Sequence, residues 1–155
     1  HRIGGGAELV SATAERRLEG VIAKRIDSIY RPGARSKDWR KIKHRLTIEL
    51  TIGGFTSGTG NRSATFGSLL LGEETSAGLR FAGGVGTGFD QRTLASLTAR
   101  LSTLVTDVCP FDPPPPAPHQ RGATWVEPAL RARVEIAEFT NTGLVRHATF
   151  ISLLP

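Results

Sequence analysis

Leu46-Thr47-Ile48-Glu49-Leu50-Thr51-Ile52-Gly53-Gly54-Phe55 is the stretch whose reading decides the fold. Leu46, Ile48, Leu50 and Ile52 alternate with Thr47, Glu49 and Thr51. Successive side chains of a strand point to opposite faces, so this period of two predicts a strand with one buried and one solvated side. Gly53-Gly54 ends the alternation. It predicts a bulge or sharp bend of the kind a small barrel needs at its corners.

Downstream, Thr56 to Ser63 reads as a glycine-and-polar loop. Thr65–Leu71 and Leu79–Val85 predict a hairpin around Glu73-Glu74-Thr75-Ser76, with Gly83-Gly84-Val85-Gly86 as a loose exit turn. Asp90 is a good helix N-cap, and Leu94, Leu97, Leu101 and Leu104 recur at helical spacing. Such a stripe predicts a core-packing helix that ends near Val105. Pro110 to Pro118, with its four consecutive prolines, predicts an extended surface spacer. Ala132, Val134 and Ile136 alternate with Arg133, Glu135 and Ala137. Asn141-Thr142-Gly143 predicts a turn, with Asn141 or Gly143 at positive φ, and Leu144–Leu153 a returning strand.

Upstream, His1 to about Ala14 contains Gly4-Gly5-Gly6 and reads as a loop or flexible tail. Leu18–Lys24 predicts a strand, and Pro32-Gly33 marks Asp27–Lys37 as a loop. Trp39–Lys43 predicts a second strand with Trp39, Lys41 and Lys43 on one face.

The 155 residues suffice for one domain, or for a small domain plus a fragment. Hydrophobic content of 39%, 18 glycines and only 6% aromatics favour a β-rich barrel over a helical bundle. No apolar run reaches the length of a membrane-spanning helix. One cysteine, Cys109, has no internal disulfide partner, which suits a reducing compartment; it reads as a structural thiol. The net charge of +6 and pI near 10.4 suit a polyanionic partner. Its placement strengthens that reading: Arg31, Arg35, Lys37, Arg40, Lys41, Lys43 and Arg45 crowd together with only Asp38 to offset them.

Taken alone, Glu19 and Lys24 read as exposed strand ends. Their context says more. Glu19-Gly20-Val21-Ile22-Ala23-Lys24-Arg25 and Trp39-Arg40-Lys41-Ile42-Lys43 resemble motifs IV and V of the covalent nucleotidyltransferases, and of ATP-dependent DNA ligases in particular. The intervening Arg25–Trp39 stretch is similar to bacterial ligases associated with double-strand-break end joining. Thr51-Ile52-Gly53-Gly54-Phe55-Thr56, Phe66-Gly67-Ser68-Leu69-Leu70-Leu71-Gly72 and Arg121-Gly122-Ala123-Thr124-Trp125-Val126-Glu127-Pro128 resemble their oligonucleotide-binding (OB) domain. The likeness runs from about Leu18 to Phe150. The family's Lys-x-Asp-Gly, which carries the AMP-accepting lysine, is absent from these residues, and Leu154 stands where its terminal Arg-x-Asp-Lys would begin.

The resemblance implies an all-β-dominated fold: a five-stranded OB barrel with one helix over residues 45–155, preceded by a strand-containing fragment of the nucleotidyltransferase domain over 1–44. It implies Glu19 as the metal-associated carboxylate, and Lys41 and Lys43 as catalytic phosphate contacts. Lys24 and Arg35 become secondary contacts to the nucleotide or to DNA, and Arg62, Arg80 and Arg146 contacts to DNA. Implied cofactors are ATP and Mg²⁺. Implied partners are duplex DNA with nicks or breaks and the rest of the adenylation domain, with no membrane. The implied location is the bacterial cytoplasm, at the nucleoid. Without its nucleophilic lysine the chain alone is expected to be inactive. Without sheet partners, residues 1–44 are expected to be disordered or to pair between molecules. The alternatives are a non-catalytic nucleic-acid-binding OB module of ligase ancestry and, ranked last, an RNA-capping or RNA-ligating relative.

Overall fold

The computed structural model describes residues 3–16, 18–29, 32–33 and 36–155. It divides into two compact units, His1–Arg45 and Leu46–Pro155.

In the first unit, the expected tail is instead a helix, α1 (Gly6–Glu15). The glycines ahead of it drew the loop reading, but Ala7-Glu8-Leu9-Val10-Ser11-Ala12 favours a helix over a tail. Glu8 also sits in the first turn, where the helix dipole favours a negative charge. No residue of α1 is buried. The helix is tied down at its end: Leu18 N donates to Thr13 O, and Thr13 Oγ1 meets His44 Nε2 at 2.9 Å. Because the Thr13 hydroxyl hydrogen goes to the backbone of the preceding turn, His44 Nε2 is the donor in that contact.

Strands β1 (Gly20–Lys24) and β2 (Trp39–Lys43) pair antiparallel with each other, where disorder or pairing between molecules was expected. The register sets Gly20 against Lys43, Ile22 against Lys41 and Lys24 against Trp39. Opposed residues share a face, so Ile22, Lys24, Trp39, Lys41 and Lys43 lie together. Gly20 has φ +152, and a Cβ there would meet Ile42 O at 2.2 Å. Only glycine fits.

The second unit is an antiparallel sheet of β3 (Leu46–Ser57), β4 (Phe66–Thr75), β5 (Gly78–Val85), β6 (Val105–Thr106), β7 (Ala123–Ile136) and β10 (Thr149–Leu153). The main path runs β10-β7-β3-β4-β5, and β6 adds to β7. In β3 the register slips between Ile52 and Gly54 against both neighbours, which is the expected bulge at Gly53. The path ends approach one another: Phe150 N donates to Thr87 O, and Thr87 Oγ1 to Ala148 O. Phe89 stacks on Phe150 and meets Phe66 edge-on across this seam. The sheet thus curls as an OB-type barrel does.

Helix α2 (Gln91–Ser102) begins at Asp90, whose Oδ1 accepts from Thr93 N at 2.7 Å. Leu94, Leu97 and Leu101 are buried against the sheet interior; Leu104, beyond the helix end, packs partly against the same core. Burying one such side chain stabilises the fold by about 1.5–3 kcal/mol.

The proline-rich segment departs from expectation. Pro113, Pro114, Pro116 and Pro118 lie exposed, as a surface spacer should, but the segment is pinned inward at two points. Phe111 is buried in a second apolar cluster with Leu70, Leu79 and Phe81, and Pro115 is buried too. Asp112 N donates to Leu79 O, Gln120 Nε2 donates to Pro115 O, and a short helix α3 (Ala117–Gln120) follows. Gly53 and Gly72 make room: a Cβ at either would lie within 3 Å of the Phe111 ring. Since both sheet faces are covered at this point, Thr51 is buried rather than solvated, and its hydroxyl donates to Glu74 Oε1 at 2.6 Å.

Two further differences concern strands. Gly83–Val85 belongs to β5 rather than to an exit turn. The expected return over Leu144–Leu153 is split by His147, at φ 52. The two parts are β9 (Val145–Arg146), paired with β8 (Glu138–Phe139), and β10. Gly143, at φ 79, takes the positive-φ position of the turn. Cys109 is half-buried against the second cluster, with Sγ facing Phe111 O, as a structural thiol should be.

Candidate functional site

Glu19 precedes β1, and the glycine after it breaks the strand alternation. Its Oε1 accepts from Lys41 Nζ at 2.7 Å and from Lys43 Nζ at 3.3 Å. Glu19 thus meets two lysines more than twenty residues further along the chain, held by five backbone-paired residues on each strand. His44 N donates to Glu19 O and fixes the backbone on which the carboxylate stands. The site is open to solvent: Glu19 is 57% exposed, Lys41 51% and Lys43 40%. The hydrogen bond from Lys41, then that from Lys43, holds the Glu19 carboxyl below the ordinary carboxylate range. Glu19 is therefore an anion at neutral pH.

Lys24 sits on the same face but does not join this cluster. Its Nζ lies 3.8 Å from the centroid of the Trp39 ring, a cation–π contact. Arg35 lies outside the described residues.

In the second unit the three arginines expected to meet DNA each have an internal partner. Arg62 Nη1 donates to Gly86 O at 2.8 Å, clamping the loop after β3 to the end of β5. Arg80 pairs with Glu73 across the β4–β5 hairpin, and Arg146 pairs with Glu138 at 3.1 Å across β8–β9. Arg131 and Arg133 flank Glu49, whose carboxyl the Arg133 hydrogen bond holds below its usual range. A groove of about 510 Å³ opens over β4 and β5, with Thr56, Ser68, Gly84, His119, Thr140 and Val145 among its lining residues. Its walls come from five segments, so no local pattern in the sequence pointed to it.

These features define a class: an OB-type β unit preceded in sequence by a basic strand pair. Residues 62–154 match the family described as ATP dependent DNA ligase C terminal region, and residues 6–43 match the ATP dependent DNA ligase domain. The chain belongs to the ATP-dependent DNA ligase family. It is 47% identical over 152 residues to the multifunctional non-homologous end joining DNA repair protein LigD of Mycobacterium tuberculosis. That alignment covers 98% of this chain and 20% of the relative. The solved ligase domain of M. tuberculosis LigD superposes with a TM-score of 0.71 at 46% identity, covering 99% of this chain and 50% of that one. A mycobacterial DNA ligase D complexed with ATP and MES gives 0.65 at 44% identity, with 99% and 49% coverage. The chain therefore spans about a fifth of the length of its curated relatives and half of the solved ligase domains.

Among the described residues no three His, Cys, Asp or Glu side chains gather into a metal cage. Mg²⁺ does not require one, since it is held through one or two carboxylates completed by phosphate oxygens and water. A lone, ionised, solvent-open Glu19 fits that requirement. No helix among the described residues is long and apolar enough to cross a membrane.

Proposed function

We propose that this chain is part of a longer ATP-dependent DNA ligase that seals breaks in duplex DNA through lysine–AMP and DNA–adenylate intermediates. Residues 1–44 are the end of its nucleotidyltransferase domain, and residues 45–155 its OB domain. The observation that carries the reading is the convergence of Lys41 and Lys43 on a single carboxylate oxygen. Two ammonium groups aimed at one anionic oxygen are what a phosphate needs. The same groups would stabilise negative charge as it develops at phosphorus. Glu19 would hold Mg²⁺, which screens the phosphates and polarises them when bound.

Lys24, held over Trp39, is a flanking cation for the nucleotide, and Arg35 belongs to the same proposal. On the OB unit, the β4–β5 groove is the surface OB folds commonly use for nucleic acid. Arg62, Arg80 and Arg146, which lie outside the groove's lining, are the phosphate contacts of this reading. The bacterial cytoplasm, at the nucleoid, suits such an enzyme.

The test is nick sealing by the longer polypeptide that contains this segment, with ATP and Mg²⁺. Replacing Lys41 and Lys43 together with alanine should lower the sealing rate by about 10²–10³-fold. Sealing at the unaltered rate would sink the proposal. The chain by itself should take up no labelled AMP from ATP.

A further inference from the structure

The groove over β4 and β5 differs in chemistry from its surroundings. Among the described residues that line it there is no lysine, arginine, aspartate or glutamate. Pro118 and His119 of α3 contribute to one side of it, and Leu144 and Val145 of the β8–β9 hairpin to another. The hairpin sits close against β5 because Gly83 has no side chain: a Cβ there would lie 2.9 Å from Val145 Cγ2. The arginines stand around the groove rather than in it. Arg62 donates to the carbonyl of Gly86, a lining residue. A Cβ on Gly143, in the turn of the hairpin, would lie 3.2 Å from Arg80 Nη1. Arg146 follows Val145 in the chain.

A phosphate placed among these neutral groups would lose water without gaining a counter-charge, which is costly. An uncharged ring would not. The volume of about 510 Å³ falls within the range of roughly 300–1,000 Å³ that encloses small organic groups. His119 supplies the specific contact. Its ring packs on Phe81 at 5.0 Å between centroids, and among the described residues neither ring nitrogen has a hydrogen-bond partner. The Thr56 and Ser68 hydroxyls, by contrast, already bond each other at 2.9 Å. An aromatic ring with unengaged nitrogens, set in a neutral hollow, suits the face and polar edge of a nucleobase. In a stacked and paired duplex those parts of a base are occupied, so the base that enters must be unpaired.

We propose that this groove receives an unpaired nucleobase of DNA, packed against His119, while the neighbouring phosphates lie outside it on the side of the arginines. The inference rests on the nucleic-acid reading of the groove given above. It adds a specificity: the OB unit distinguishes a single-stranded extension at a break from a fully paired end. The contact is to a ring that every base possesses, so it tolerates any sequence. It also needs no excess of positive charge, which residues 46–155 lack, with eight arginines against nine acidic residues.

The experiment is fluorescence anisotropy of the full chain, at fixed salt, with one labelled duplex prepared blunt, with a short single-stranded extension, and with an extension of equal length made of abasic sugars. The two extensions carry the same phosphates, so charge alone would bind them equally. The base-bearing extension should bind about five- to tenfold more tightly than the abasic one. His119→Ala should bring that ratio to within about twofold of unity. Arg100→Ala, a loss of charge on α2 outside the groove's lining, should leave the ratio as it is. Equal binding of the two extensions to the unaltered chain, or a preference that persists in His119→Ala or disappears in Arg100→Ala, would overturn the inference. If the extensions bind alike and ever more weakly as salt rises, DNA remains the partner and this inference alone fails. If neither the blunt duplex nor either extension binds, the nucleic-acid reading of the groove falls and takes this inference with it.

Discussion

The two units divide the work of the chain unequally. Residues 1–45 contain twelve lysines and arginines against five acidic residues, whereas residues 46–155 contain eight against nine. The whole positive excess of the chain therefore resides in the first unit. Burial is distributed the other way. Every buried apolar side chain among the described residues belongs to Leu46–Pro155. In the first unit Leu18, Ile22 and Ile42 are between 41% and 57% exposed. The second unit is held by its core, and its Arg62, Arg80, Arg131, Arg133 and Arg146 each have an internal partner. The first is held by backbone pairing and a few polar ties, and it gathers unlike charges at an open surface. The apolar core and the positive excess thus lie in different segments, and substitutions can separate them.

The largest expected effect lies in the core. Phe66→Ala or Leu101→Ala should lower the unfolding free energy of the second unit by about 3–5 kcal/mol, through lost burial and the cavity left behind. Ile22→Ala, exposed on β1, should change it by no more than about 0.5 kcal/mol. Urea denaturation followed by tryptophan fluorescence measures both. Similar losses at Phe66 and Ile22 would erase the contrast between the units.

Next in size is overpacking at the second cluster. Gly53→Ala places a methyl group 2.5 Å from the end of the Phe111 ring and should cost about 1–3 kcal/mol. Phe111→Leu shortens that side chain, so the double variant should lose less than the sum of the two single changes. Strict additivity in a double-mutant cycle would mean that Phe111 does not press on the bulge.

The packing at Gly53 also shows where sequence reasoning reached and where it stopped. Period-two alternation revealed β3, the buried half of β7 and the Gly53 bulge, because each is a local pattern with a local cause. The Asp90 cap and leucine stripe revealed α2 for the same reason. The inward turn of Phe111 was invisible, since its causes are the missing side chains of Gly53 and Gly72, distant in sequence. The proline run nearby suggested a spacer instead. Helix α1 was masked by the glycines that introduce it. At the site, resemblance drew Glu19, Lys41 and Lys43 together, and strand alternation placed the two lysines on one face with Trp39. It did not reveal that Lys24 would settle on the Trp39 ring, or that Arg62, Arg80 and Arg146 would each find a partner. Cross-strand pairing depends on register, which no single stretch of sequence fixes.

A smaller effect tests the helix cap. The hydrogen bonds from Thr93 hold the Asp90 carboxyl below its usual range, so its ionised form is favoured in the folded protein. A carboxyl whose value is lowered on folding contributes stability above its unfolded value, and that contribution is lost as pH falls through the folded value. Asp90→Ala should accordingly lower the melting midpoint by a few degrees at neutral pH. The difference should shrink steadily once the pH drops below the ordinary carboxylate range. A difference that grows on acidification would show that Asp90 does not act as an ionised cap.

The smallest effect concerns DNA. If each arginine of the OB unit gave a full phosphate contact, Arg80→Ala and Arg146→Ala would each weaken duplex binding and flatten its salt dependence by about one unit of slope. Both side chains, however, are paired with a carboxylate of their own strand neighbours, Glu73 and Glu138. Removing the arginine removes a cation but leaves its acid bare, so some repulsion of DNA is added. Binding to a phosphate, in turn, means giving up that acid. These terms oppose one another. We expect a loss of no more than about threefold from either change. Lys37→Ala and Arg40→Ala, in the segment where positive charge exceeds negative, should each cost more at the same ionic strength. A fluorescence titration of a nicked duplex at several salt concentrations ranks the four variants. Should Arg80 and Arg146 outrank Lys37 and Arg40, DNA affinity would reside in the OB unit despite its balanced charge, and the division drawn between the two units would have to be redrawn for binding while still holding for stability.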